Sequence, residues 1–202
     1  MSIRIVDELE DGFGWIESAT MGRTSHALAV DGRVWLTDPI DADGVEERIR
    51  SLGEPAGVIQ LLDRHKRDGA ALASRLGVPL HVVPTSLPGT PFLFLPVVQG
   101  RWWKEVALWW PERRVLVCAD ALGTAPYYRS GAERLAVHPL LRVRPPRRQL
   151  GALQPDVILC GHGEGVLEDA GTALREALTT SLRRVPGQVA SALRAWRASR
   201  PS

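Results

Sequence analysis

LLDRHKRDGA, residues 61–70, runs from two leucines straight into six charged or ionisable side chains and then meets a glycine. The leucines close GVIQLL (57–62), a short apolar run of buried-strand type, and DGAALASRLG (68–77) continues as a helix with Gly77 as its stop. The polar residues therefore stand at the end of a strand, where α/β sheets collect ligand-binding and catalytic groups. Two later stretches repeat the pattern. LVCADAL (116–122) and ILCGHGEGV (158–166) each leave a buried run for polar residues, Asp120 in the one and His162 in the other.

Outward from these stretches the elements fall into order. HALAV (26–30), Asp31-Gly32 and RVWLT (33–37) read as a hairpin, because Asp-Gly tolerates the positive φ of a type I′ turn. Val45, Ile49 and Leu52 recur at helical spacing after Asp38-Pro39, which predicts a helix over 43–52 that stops at Gly53. VPLHVV (78–83) is another strand, and FLFLPVV, KEVALWW and RRVLVCA (92–119) read as three strands of a second sheet. Residues 123–155 read as a Pro- and Arg-rich connection with at most short helices. DVILC (156–160) is the last strand, and helices near 168–182 and 188–198 close the chain, split by Pro186-Gly187. No internal repeat interrupts this order, which predicts a single α/β domain over 1–202 with two mixed sheets wrapped by helices.

Composition excludes several classes. The chain has 202 residues, 45% hydrophobic and 24% charged, the balance of a globular domain that buries a core without disulfides or a structural metal. No apolar run approaches the roughly 18 residues of a membrane helix, and MSIRIVDELEDG is acidic where a signal peptide is basic. A cytoplasmic protein with no membrane partner is expected. Cys118 and Cys160 are too few for a disulfide framework or a thiolate zinc site, and read as small buried hydrophobes on the same side of their strands as Asp120 and His162. Residues 129–202 carry 12 basic and 6 acidic side chains, but the arginines lie at helical spacing among alanines and leucines, so solvated helices are expected and nucleic acid is not. Of Trp102, Trp103, Trp109 and Trp110, one of each pair is expected in the core and the other in the outer layer or a cleft. Ser25-His26 lacks the Gly-x-Ser-x-Gly turn that exposes a nucleophilic serine.

In their order, the three stretches resemble the motifs of the metallo-β-lactamase superfamily: T-H-x-H-x-D-H, a strand ending in Gly-Asp, and Gly-His-Gly. Asp38-Pro39 is similar to that family's early Asp-Pro-Gly turn, and the resemblance spans residues from about 25 to 180. It implies an αββα sandwich with a hydrolytic site, usually holding one or two zinc ions, at one edge between the sheets. Aligned on Asp68, the family's ligand identities survive at Asp68, Asp120 and His162. Arg64 and Lys66 stand where the first two histidines belong, Gly69 where the last belongs, and Arg101 where a histidine follows a glycine. His65 falls between two lost positions.

What this implies is a divergent member with a degraded site, binding a small molecule and needing no cofactor, or zinc if any. Any metal would be held by Asp68, Asp120 and His162, with Asp68 and His162 as the catalytic pair, and zinc after purification is expected to be sub-stoichiometric. Arg64, Lys66, Arg101 and Trp102 would line the ligand cleft. Arg101 and Lys66 are expected within salt-bridge distance of Asp68 or Asp120, where protein charge replaces metal charge. The alternative is a metal-dependent hydrolase of an ester, thioester or lactone, using water on a single ion.

Overall fold

A computed structural model describes residues 2–18 and 21–187, and the helix expected over 188–198 lies outside them. Strands β1 (Ile3–Leu9), β2 (Gly12–Glu17), β3 (Thr24–Val30), β4 (Arg33–Thr37), β5 (Glu54–Gln60) and β6 (Leu80–Val82) form one sheet in chain order. Pairing is antiparallel as far as β4 and parallel from β4 through β6. The parallel steps need crossovers, which α1 (Val45–Leu52) and α2 (Gly69–Leu76) supply. At the β3–β4 turn Asp31 and Gly32 take φ of 50° and 74°, the left-handed pair that a type I′ connection requires.

The second half opens with β7 (Leu93–Gln99), β8 (Lys104–Trp110) and β9 (Val115–Cys118), an antiparallel set. The connection after β9 holds more than the expected short helices. It contains a two-stranded ribbon, β10 (Leu122–Gly123) with β11 (Ala136–Val137), and then α3 (Arg147–Leu150). β12 (Val157–Cys160) returns parallel to β9, giving the sheet order β12-β9-β8-β7, and α4 (Ala170–Thr180) follows.

Strand alternation sorts the side chains into four layers. Trp35 of β4 and Val115 and Val117 of β9 face inward, joining Leu28, Ile59, Val106, Leu108 and Leu159 between the two sheets. Val34 and Leu36 face outward onto Val45 and Ile49 of α1 and Ala73 of α2. Leu116 and Ile158 face outward onto Ala173, Leu174 and Ala177 of α4. The result is the expected αββα sandwich. Cys118 and Cys160, paired across β9 and β12, belong to the α4 layer; both thiols are free and fully buried, and burial raises their pKa values.

The strand ends that carry the three polar stretches meet at one edge. Leu62, just past β5, bridges to Glu105 of β8, and His162, just past β12, bridges to Arg23 ahead of β3. The Thr24 N–H donates to the Gly161 carbonyl at 2.9 Å, closing the two sheets over that edge. Among the described residues no helix is long and apolar enough to cross a membrane.

Candidate metal centre

At this edge His65, Asp120 and His162 come together, with one ligand-type atom from each lying within 4.8 Å of the others. His65 Nε2 is 2.9 Å and His162 Nε2 is 3.2 Å from the same oxygen, Asp120 Oδ1. Neither imidazole meets that oxygen with the alignment of a hydrogen bond, so Oδ1 is buried without one. Both rings are turned this way by their other nitrogen. His65 Nδ1 donates to Asp38 Oδ2 at 3.3 Å, and His162 Nδ1 donates to the Met21 carbonyl at 3.1 Å. Each Nε2 therefore faces Asp120.

The loop geometry explains why His65 and not its neighbours reaches the centre. Over residues 64–67 the chain alternates, with Arg64 and Lys66 exposed and His65 and Arg67 turned inward. Arg67 then takes a left-handed φ of 39°, which breaks the alternation before Asp68. Asp68 stands at the N-cap position of α2 without a capping bond and accepts from the Asp41 N–H at 2.9 Å, so it is not part of the cluster. Of the expected set Asp68, Asp120 and His162, the structure brings Asp120 and His162 together, with His65 beside them and Asp68 outside the cluster.

Asp120 is positioned from beneath. Glu105, fully buried, accepts the Asp120 and Ala121 N–H groups at 3.0 and 2.9 Å through Oε1 and the Trp103 indole N–H at 2.9 Å through Oε2. Tyr128 donates its hydroxyl to the Asp120 carbonyl at 3.0 Å. On the His162 side, Gly163 is required as glycine: its φ is 86°, and a Cβ there would overlap the Thr124 hydroxyl. Asp7 accepts the Gly165 N–H at 2.8 Å through Oδ1 and meets His26 Nε2 at 3.1 Å through Oδ2, tying this loop to β1.

Arg67 supplies the buried positive charge. Its guanidinium donates to the carbonyls of Thr24, Asp38 and Gly161 at 2.6, 2.8 and 2.9 Å, joining the ends of β4 and β12 to the start of β3. The cations expected to do this do not. Among the described residues Arg101 and Lys66 make no ion pair with Asp68 or Asp120; both are exposed, and Arg101 lies over Trp102 at 5.1 Å. Trp102 is 80% exposed at a hairpin tip, while its neighbour Trp103 is buried. Among the described residues the arginine that forms an ion pair with Asp120 is Arg64, with Nη2 3.8 Å from Oδ2. A cavity of about 740 Å³, lined by residues that include Pro126, Arg129 and Gly163, adjoins the cluster without containing it.

The charge environment follows from these contacts. Burial works against a charged His65, but its contacts with Asp120 and Asp38 outweigh that and push its pKa up to about 9. Burial also works against an ionised Asp120, yet the two imidazoles hold it well below the usual carboxylate range. Burial raises Glu105 to about 7 against the pull of its N–H donors. Asp38 orients His65, so Asp38→Asn is expected to weaken zinc binding about tenfold to a hundredfold with the fold intact, as read by competition with a chromophoric chelator.

No protein family and no curated protein matches the sequence. Solved structures do match the fold. The DIM-1 metallo-β-lactamase superposes with a TM-score of 0.62 at 12% identity, covering 90% of this chain and 99% of that one. A metallo-β-lactamase from Pontibacter korlensis gives 0.60 at 12% identity over 88% and 99%. FIM-1 from Pseudomonas aeruginosa, in its mono-zinc form, gives 0.60 at 8% identity over 90% and 97%. This likeness is one of fold, reaching nearly the full length of each relative.

Proposed function

We propose that this chain, which has the metallo-β-lactamase fold, is a hydrolase of an ester, thioester or lactone that works with one zinc ion held by His65, Asp120 and His162. The observation that carries the reading is the convergence of two imidazole Nε2 atoms on one oxygen of a buried carboxylate. Such a group calls for a positive charge among the three atoms, a metal ion or a proton. Zinc with bonds of about 2.0–2.1 Å to tetrahedral ligands sets its ligand atoms about 3.4 Å apart, and the observed 2.9 and 3.2 Å lie within about half an ångström of that. Two histidines and a carboxylate are also a donor set that leaves a fourth position open. Bound there, zinc supplies Lewis acidity and brings the pKa of a water to about 7.

The chain's own groups do the rest. Asp38 and the Met21 carbonyl turn both Nε2 atoms toward the centre, and Glu105 fixes the turn that presents Asp120. Arg67 offsets the charge of Asp38 and Asp120 without occupying the ligand atoms. Tyr127 stands edge-on to His162 and keeps its proton at neutral pH, because burial raises its pKa.

A second reading draws on His65. At a pKa of about 9 a proton can take the cation's place, leaving a metal-free cleft for a small molecule. The two readings differ in sign with pH. A raised histidine stabilises the metal-free fold fully below its unfolded value of 6.5, and that stability is lost as pH rises through about 9. Zinc must displace the same proton, so its apparent affinity is expected to rise about tenfold per pH unit up to that value. Thermal unfolding between pH 6.5 and 9 is therefore expected to show a falling Tm for chelated protein and a growing gap between it and zinc-loaded protein. The activity itself is tested with aryl acetates, thioesters and lactones: zinc-loaded protein is expected to hydrolyse at least one class and chelated protein none. Turnover that survives chelation would contradict the proposal.

A further inference from the structure

Arg64 stands beside the centre in a setting that defines its use. Its guanidinium carbon lies 4.5 Å over the Trp103 ring. Trp103 is itself buried, fixed by its indole N–H on Glu105 and packed edge-on with His138 at a centroid distance of 4.8 Å. Stacking on a fixed ring sets the plane of a side chain that is otherwise mobile. Nη2 is 3.8 Å from Asp120 Oδ2, beyond hydrogen-bond length, and among the described residues Arg64 donates no hydrogen bond to the protein. Its side chain is 46% exposed. A guanidinium stacked on a fixed ring, in a long ion pair with Asp120 and otherwise without a hydrogen bond among the described residues, thus stands half-exposed next to one of the three ligand side chains.

A guanidinium held this way matches one partner best, a carboxylate gripped through two parallel N–H donors. Resting on the one-zinc reading above, the geometry points to Arg64 as the specificity-determining residue, which holds a carboxylate carried by the substrate. The substrate class is then an anionic ester, thioester or lactone, with its carboxylate a few bonds from the scissile carbonyl. Arg101 lies over Trp102, an exposed ring at the hairpin tip, and Lys66 is an exposed cation, and neither forms an ion pair with Asp120 among the described residues, so they do not share the role.

The test compares 4-acetoxybenzoate with its methyl ester, which differ in charge and share the scissile acetate. Zinc-loaded wild type, Arg64→Met and Arg64→Lys are assayed on both. Arg64→Met keeps the apolar cover on Trp103, and it is expected to raise KM for the anionic ester about tenfold to a hundredfold, leave the methyl ester within about twofold, and retain its zinc. Arg64→Lys keeps the charge but loses the fork, and recovers only part of the loss. Equal effects on both esters, or none, overturn the assignment. Calorimetric titration with benzoate reads Arg64 without turnover: affinity is expected to fall at least about tenfold in Arg64→Met, and an unchanged affinity also overturns it. If wild type cleaves neither ester, the ester form of the hydrolase reading falls, and the benzoate titration alone decides the role of Arg64.

Discussion

Replacing Asp120 by asparagine is expected to weaken zinc binding by at least about a hundredfold, because it removes the charged member of a three-ligand set and leaves the shape of the side chain unchanged. His65→Ala and His162→Ala are expected to match it. Asp68→Asn is expected to hold zinc within about threefold of wild type, since its carboxylate is spent on the Asp41 N–H rather than on the centre. The four variants together separate the observed cluster from the set that sequence alignment alone gives. Competition titration against a chelator of known affinity measures all of them, and circular dichroism checks that each is folded. Loss of zinc in Asp68→Asn with retention in His65→Ala would place the ion elsewhere.

The largest effect on stability is expected away from the centre, at Arg142 and Glu133. Arg142 is fully buried, and its guanidinium donates to both Glu133 oxygens at 3.0 and 2.7 Å and to the Tyr128 carbonyl at 2.6 Å. Arg142→Met strands the Glu133 carboxylate in the interior, at a cost of about 3–5 kcal/mol. Glu133→Gln leaves the arginine uncompensated and is expected to cost a similar amount. Arg142→Met with Glu133→Leu removes both charges and is expected to recover most of the loss. Denaturant unfolding of the cycle checks this, and additive losses would mean that the two residues are not coupled. The same pair bears on function, because it anchors Tyr128, whose hydroxyl holds the Asp120 carbonyl.

Much of the fold is legible in the sequence because period-2 alternation and Gly stops are local. The Asp31-Gly32 turn, α1, α2 and the three strands of the second sheet follow from residues within a few positions of each other. The ribbon β10–β11 does not, since two-residue strands carry no period to read. The candidate site divides in the same way. Asp120 and His162 follow strand ends and are legible there. His65 is not, because the direction of a side chain in the turn after β5 depends on the left-handed φ at Arg67. The inward alternation of His65 and Arg67 against Arg64 and Lys66 was the available signal, and aligning on Asp68 hides it. Buried ion pairs are also silent in sequence. Arg101, Lys66 and Arg142 are equally basic on paper, and only tertiary packing makes Arg142 the paired one.

X-ray absorption at the zinc edge, on protein loaded with one equivalent of zinc and dialysed, tests the central claim most directly. The expected spectrum is that of one ion per chain with two imidazole nitrogens and a carboxylate oxygen at about 2.0–2.2 Å, and one imidazole fewer in any zinc still bound by His65→Ala. Protein that gives up its zinc on dialysis, or a shell with a single imidazole in wild type, would contradict a centre built on His65, Asp120 and His162.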